Sequence, residues 1–225
     1  LEPMGPPVPE LRGIAVSSLV ADRLGRLWIG TRERGLARYA NGALTYLDGP
    51  GENVRALLEV RGQVWVATNR GLAVHDGERP RSPPKGLEKL DVHALFEDSG
   101  GEVWLGTDSQ GVCRFSAGEL SCFTKADGLG SDTVWSLAKD NEGSLWAGTY
   151  RGGLSRYLGA GSVGSRLRLE LGDSMVRAIL EDRRGRMWFA TDRRGVLMQD
   201  GERLRWFRAR DGLGSDFVLT VFEDH

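Results

Sequence analysis

The chain has 225 residues, with 30 Lys and Arg against 31 Asp and Glu, a formal net charge of -1, and 40% hydrophobic residues. That balance leaves no electrostatic footprint for nucleic acid, and no apolar run approaches the roughly 18 residues that a membrane-spanning helix needs. Three His and two Cys are too few and too scattered for a metal site, and no Gly-rich loop leads from a strand into a helix, so neither a metal nor a cofactor is expected.

Residues 1–12 are Pro-rich and read as a lead-in segment or a loose outer strand. The opening Leu1-Glu2-Pro3-Met4-Gly5-Pro6-Pro7 lacks the basic-then-apolar layout of a signal peptide, and the chain reads as an excerpt of a longer protein. From residue 13 to 225 one unit recurs. Each copy opens on a strand of the form Val-x-small-aliphatic, at Val16, Val54, Val92, Val134, Val176 and Val218. A Gly-containing turn then leads into a Trp strand: Leu27-Trp28-Ile29-Gly30-Thr31, Val64-Trp65-Val66-Ala67-Thr68, Val103-Trp104-Leu105-Gly106-Thr107, Leu145-Trp146-Ala147-Gly148-Thr149 and Met187-Trp188-Phe189-Ala190-Thr191. The tryptophans lie 37, 39, 42 and 42 residues apart, a period that belongs to architectures in which one small sheet is copied around an axis.

The Trp strand has a packing logic. Residues two apart share a face of a strand, so each Trp stands beside a Gly or Ala, and a large ring next to a gap lets stacked sheets interdigitate. Trp28, Trp65, Trp104, Trp146 and Trp188 are therefore expected in the core. A second turn ends in Gly35, Gly71, Gly111, Gly153 or Gly195, and the third and fourth strands form a hairpin with two-residue loops at Asn41-Gly42, Asp76-Gly77, Ala117-Gly118 and Asp200-Gly201. In the fourth copy, 158–165 is Gly-rich and predicts a wider, more mobile loop.

The expected fold is all-β: a β-propeller arc of five four-stranded blades, at about 14–48, 49–86, 87–126, 127–170 and 171–210, with 211–225 beginning the next. The strand predicted at 217–223 is the first of a sixth blade, so the ring is incomplete and a native ring of six to eight blades is expected. Open blade edges would invite a homodimer.

Asp and Glu are abundant, mostly in turns, where they read as solvated turn residues. If Ala117-Gly118 is a two-residue turn, Cys113 and Cys122 fall on directly opposed residues, and a cross-strand disulfide is feasible there. Two free thiols on an outer hairpin is the equal alternative.

At this point the repeat resembles the two-component regulator propeller family, whose units read roughly V-x-x-L/I-x-x-D-x-x-G-x-L/V-W-x-G-T, often with a D-G-L-x-S/D segment before the next unit. That last segment stands twice, at Asp127-Gly128-Leu129-Gly130-Ser131-Asp132 and, 84 residues on, at Asp211-Gly212-Leu213-Gly214-Ser215-Asp216. The departures are Ala67 and Ala190 for the usual Gly, and a second repeat that is short between Glu59 and Gln63. The resemblance implies a periplasmic or otherwise extracytoplasmic sensor region preceding a histidine kinase, hybrid kinase or diguanylate cyclase, dimerising through its signalling domains, with no catalytic residues of its own.

Propeller topology puts the loops after the fourth and second strands on one rim. That rim would carry Arg32, Arg34, Asn69, Arg70, Gln110, Tyr150, Arg151, Arg193 and Arg194. The residue after each opening Val, namely Arg55, His93, Trp135 and Arg177, would lie near the same mouth. Arginine beside aromatic rings suits a small ligand, anionic or carbohydrate-like, although Glu33, Asp108 and Asp192 dilute the charge. A ligand-sensing, non-catalytic module is the expected function. A protein-interaction scaffold and a propeller lyase are the alternatives, the last weakened because His93 is the only obvious titrating candidate.

Overall fold

The computed structural model describes residues 11–48, 51–157, 171 and 173–224. Among them are 19 strands and no α-helix, in two compact units, Leu1–Val92 and His93–His225. The fold is all-β, built from antiparallel meanders.

In the first unit, β1 (Val16–Ala21), β2 (Leu27–Thr31), β3 (Leu36–Ala40) and β4 (Ala43–Leu47) pair in sequence order. The second blade follows as β5 (Val54–Val60), β6 (Gln63–Thr68), β7 (Gly71–His75) and the short β8 (Pro80–Arg81). From His93 onward the second unit repeats the plan. It holds β9 (Val92–Glu97) from the strand's second residue on, β10 (Val103–Thr107), β11 (Val112–Ser116) and β12 (Glu119–Phe123), then β13 (Val134–Lys139), β14 (Leu145–Thr149) and β15 (Leu154–Tyr157). The fifth blade is β16 (Val176–Glu181), β17 (Met187–Thr191), β18 (Val196–Asp200) and β19 (Arg203–Phe207). The loop expected at 158–165 lies outside the described residues.

The gaps beside Trp28, Trp104 and Trp146 are filled by the next blade's opening Val. A Cβ placed on Gly30 would sit 2.5 Å from Val54 Cγ1, one on Gly106 would sit 2.9 Å from Val134, and one on Gly148 would sit 2.8 Å from Val176. The clusters follow the same rule. Trp28 packs with Val54 and Leu57 in the first unit, and Trp104 with Val134 and Trp146 with Val176 in the second. Trp28, Trp65, Trp104 and Trp146 are buried, whereas Trp188 is only half-buried. Beside it lies a cleft of about 430 Å³ lined by Leu180, Val196, Phe207, Val218 and Phe222. The segment 217–223 forms no ladder and meets the fifth blade through a hydrogen bond from Val218 N–H to the Thr191 carbonyl. Among the described residues no second strand stands beside it to pair with.

Two hairpins have the expected loops: Ala40 pairs with Ala43 across Asn41-Gly42, and Ser116 with Glu119 across Ala117-Gly118, with positive φ at all four turn residues. Two differ. The last hairpin turns one residue later, at Gly201-Glu202, because Asp200 pairs with Arg203. In the second blade His75 pairs with Pro80, so the loop spans four residues, and Asp76 accepts hydrogen bonds from the Glu78 and Arg79 N–H groups inside it. That Asx-type bonding competes with a two-residue turn. The compact turn in that blade is instead Arg61-Gly62, joining β5 to β6, and it accounts for the shortened repeat.

The carboxylates require a larger correction. Asp22, Asp98, Asp140 and Asp182, expected as solvated turn residues, are buried and accept the indole N–H of Trp28, Trp104, Trp146 and Trp188 at 2.7, 3.3, 2.8 and 2.9 Å. Each also collects backbone N–H groups of its own turn. A donating indole cannot be buried without an acceptor except at a cost of about 1 to 3 kcal/mol, and the turn Asp supplies that acceptor.

Candidate functional site at the blade openings

The residue after an opening Val is singled out by a backbone irregularity. The register of the first strand pair shifts between Val54 and Ala56, between Val134 and Ser136, and between Val176 and Ala178, so that Arg55, Trp135 and Arg177 each take up the extra position in the strand. This is a β-bulge, a device that re-aims a side chain away from the ladder. Ser17 occupies the same place in the first blade, and His93 follows its Val in β9.

In the second unit these side chains meet. The His93 ring stacks on Trp135 with centroids 3.9 Å apart and planes 22° from parallel. The Arg177 guanidinium lies 5.2 Å from the Trp135 ring centre and 5.3 Å from that of Phe217, the residue before the sixth opening Val. His93 is buried, and its Nε2 lies 3.0 Å from the Asp108 carboxylate. The result is a column, His93, Trp135, Arg177 and Phe217, built from successive repeats. Trp135 Nε1 is buried and has no hydrogen-bond acceptor among the described residues.

The rim loops are held from beneath by the Thr that closes each Trp strand. Thr31, Thr68, Thr107, Thr149 and Thr191 are all buried, and each donates its hydroxyl to the carbonyl of the Gly that ends the loop. Four of these hydroxyls also accept an N–H from the loop, that of Arg34, Arg70, Gln110 or Arg194. Sequence reasoning did not single out these threonines. Their recurrence four residues before a Gly, or three in the second blade, was the signal for the clamp.

The other expected site residues are distributed as follows. In the first unit Arg55 is paired with Asp91, while Arg32 and Arg70 are exposed. In the second unit Tyr150 and Arg151 are exposed and stack on each other, with the guanidinium 5.2 Å from the ring centre. Arg193 lies 3.5 Å from the Asp192 carboxylate, whose other oxygen accepts the Met175 N–H. Cys113 and Cys122 are joined in a disulfide between β11 and β12, with Cα atoms 4.0 Å apart. Among the described residues no three His, Cys, Asp or Glu side chains gather as a metal site, and no helix is long and apolar enough to cross a membrane.

The two component regulator propeller model matches at residues 10–33, 86–109, 128–151 and 170–193, the stretches that carry the buried Asp, the Trp strand and the clamping Thr. The chain thus carries four copies of the two component regulator propeller repeat. No curated protein matches it. Among solved structures, this regulator propeller is similar to the extracellular domain assigned to the hybrid two component system BT3049 of B. thetaiotaomicron, at 26% identity and a TM-score of 0.77, over 89% of this chain and 29% of that one. The extracellular domain assigned to the one component system BT4673 of the same organism gives 19% identity and a TM-score of 0.66, over 95% of this chain and 36% of that one. Virginiamycin B lyase from Staphylococcus aureus, in a catalytically inactive form with quinupristin, shares the fold at 13% identity and a TM-score of 0.65, over 86% of this chain and 70% of that one. The regulator propeller thus spans about a third of the length of the first two structures, both extracellular domains.

Proposed function

We propose that this regulator propeller is a non-catalytic, extracytoplasmic sensing module, and that the column at its blade openings binds a small anionic ligand. The observation that carries the reading is the His93, Trp135, Arg177 and Phe217 column. Its rings are already stacked on one another, so Trp135 is a poor free platform for a sugar face. What the column offers instead is a donor, the indole N–H of Trp135, which has no acceptor among the described residues, beside the positive charge of Arg177, a pairing that suits carboxylate or sulfate. This favours an anion, a sugar acid included, over a neutral carbohydrate. Tyr150, Arg151 and the other rim arginines would add positive potential around the entrance.

An acid–base role for His93 is less well supported, because its ring is stacked and its Nε2 is tied to Asp108, which fits a residue that anchors the column. Calorimetry against sulfate, small dicarboxylates, sugar acids and neutral sugars tests the proposal. Micromolar to millimolar binding of an acidic compound, weakened about tenfold or more by Arg177→Met and by Trp135→Phe, which keeps the stack and removes the N–H, is expected. Equal binding of neutral sugars, or anion binding indifferent to both substitutions, would count against it.

A further inference from the structure

The outer strand of the fifth blade is unlike the others. β4 carries Ala-Leu-Thr-Tyr-Leu, β8 is Pro80–Arg81, and β12 carries Glu-Leu-Ser-Cys-Phe. In contrast β19 and the residues after it read Arg203-Leu204-Arg205-Trp206-Phe207-Arg208-Ala209-Arg210, with four Arg and no acid in eight positions. Among the described residues β19 is the free edge of its sheet, and none of Arg203, Arg205 and Arg208 has a carboxylate within ion-pairing distance. Arg203 and Arg205 are exposed, and so is Leu204 at 46%.

Charged residues on an edge strand often serve only to block sheet-to-sheet association. Two features go beyond that. Arg205 lies 4.7 Å from the Phe207 ring centre, and Arg194 and Arg208 lie 5.8 and 5.2 Å from that of Trp206, so several guanidinium groups are held against rings. Held in this way they lose less freedom on engaging a carboxylate than a free side chain would. An edge protected for its own sake would also not leave Leu204 exposed in its middle.

The register defines what the edge can accept. Asp200 and Arg203 flank a two-residue loop and so exchange hydrogen bonds with each other, as do Met198 and Arg205 two positions on. The N–H and C=O of Leu204 and Trp206 therefore turn outward. A strand added there would bond to Leu204 and Trp206 and would face Arg203 and Arg205 at the non-hydrogen-bonded positions, where opposed side chains are closest. Arg203 and Arg205 stand about 6.8 Å apart along the strand, the spacing of alternate side chains on a partner strand.

We infer that the outer edge of the fifth blade is a docking site for an extended acidic peptide segment, which adds to β19 as a fifth strand with its carboxylates opposite Arg203 and Arg205. The backbone ladder supplies affinity and the alternate guanidinium groups supply the preference for acidic residues. The inference is independent of the column at the blade openings.

The test is fluorescence anisotropy of a labelled peptide of about eight residues alternating Glu with Val and Thr, added to the full chain. Saturable binding is expected, roughly tenfold or more weaker in the Arg203→Glu, Arg205→Glu double variant and weakened by added salt. Leu204→Pro removes one outward N–H without touching the ladder to β18, and should weaken peptide binding comparably while circular dichroism and thermal unfolding stay near those of the parent. No binding would overturn the inference. So would peptide binding unchanged by Leu204→Pro, or dextran sulfate or anionic vesicles competing equally in the Leu204→Pro protein, since either result describes a general cationic surface.

Discussion

A carboxylate placed beneath an indole must stay ionised to keep its hydrogen bonds, and Asp182 shows how. Burial alone would push its carboxyl up. The Trp188 indole, the Arg186 backbone and guanidinium, and the Arg184 N–H more than offset that, and its pKa falls to about 2. Asp22, Asp98 and Asp140 are lowered too, their burial likewise outweighed by bonds from Trp28, Trp104 and Trp146 and from their own turns, with Arg26, Lys139 and Arg156 adding to each. A folded pKa below the unfolded one contributes stability that is complete above about pH 4 and is lost as pH falls toward 2. Asp182→Asn should accordingly destabilise the propeller by about 1.5 to 3 kcal/mol at pH 7, since a charge-assisted acceptor becomes neutral. The gap to the parent should narrow steadily as denaturant titrations are repeated from pH 5 down to pH 2. A gap independent of pH would mean that the Asp182 charge is not the stabilising feature.

At the level of the blade, the small residue beside the Trp and the residue opposite it vary together in four blades, while in the third Gly106 stands beside Ala94. Gly30 and Gly148 oppose Ser18 and Ser136, whereas Ala67 and Ala190 oppose Ala56 and Ala178. Ser136 explains why. Its hydroxyl donates to the Val176 carbonyl at 3.0 Å and would lie 2.2 Å from a Cβ on Gly148. Gly148→Ala should therefore cost about 1 to 3 kcal/mol by overpacking, while Ala67→Gly, at a place where Ala is opposed by Ala, should cost about 1 kcal/mol or less. Equal effects in urea titrations would show that Ser136 does not set the space. The Trp period made the blades legible because a ring facing a gap repeats in the sequence itself. The acceptors of the indole N–H groups were hidden: Asp22 or Asp140 in a turn looks the same in sequence whether it faces water or a Trp six residues on. The Gly201-Glu202 turn was missed by one residue because Asp200-Gly201 carries equally good turn chemistry, and only pairing with β18 decides between them. For the candidate site, topology brought Trp135 and Arg177 to the openings, but the contact of His93 with Asp108 spans residues that no local pattern connects.

Over the whole chain, the net charge of -1 conceals where the charges stand. Arginine concentrates in the last blade, and the one covalent cross-link lies two blades earlier, where Cys113 and Cys122 close a loop nine residues apart. So short a loop removes little freedom from the unfolded chain, and the chain-entropy relation gives about 2.5 kcal/mol or less. The hairpin does not depend on the bond for its register, because Ala117-Gly118 and the ladder from Ser116–Glu119 to Val112–Phe123 already define it. Reduction should thus lower the unfolding midpoint by at most about 5 to 10 °C, at about 2 to 4 °C per kcal/mol for a domain of this size, without changing the circular dichroism spectrum. Protein made in an oxidising compartment and unfolded without reductant should yield no titratable thiol, and protein made in a reducing cytoplasm should yield two and the lower midpoint. Two free thiols in protein exported to an oxidising compartment would remove the bond, and with it one support for an extracytoplasmic setting. Loss of the folded signal on reduction would show instead that the hairpin needs its cross-link, against the reading that turn and ladder suffice.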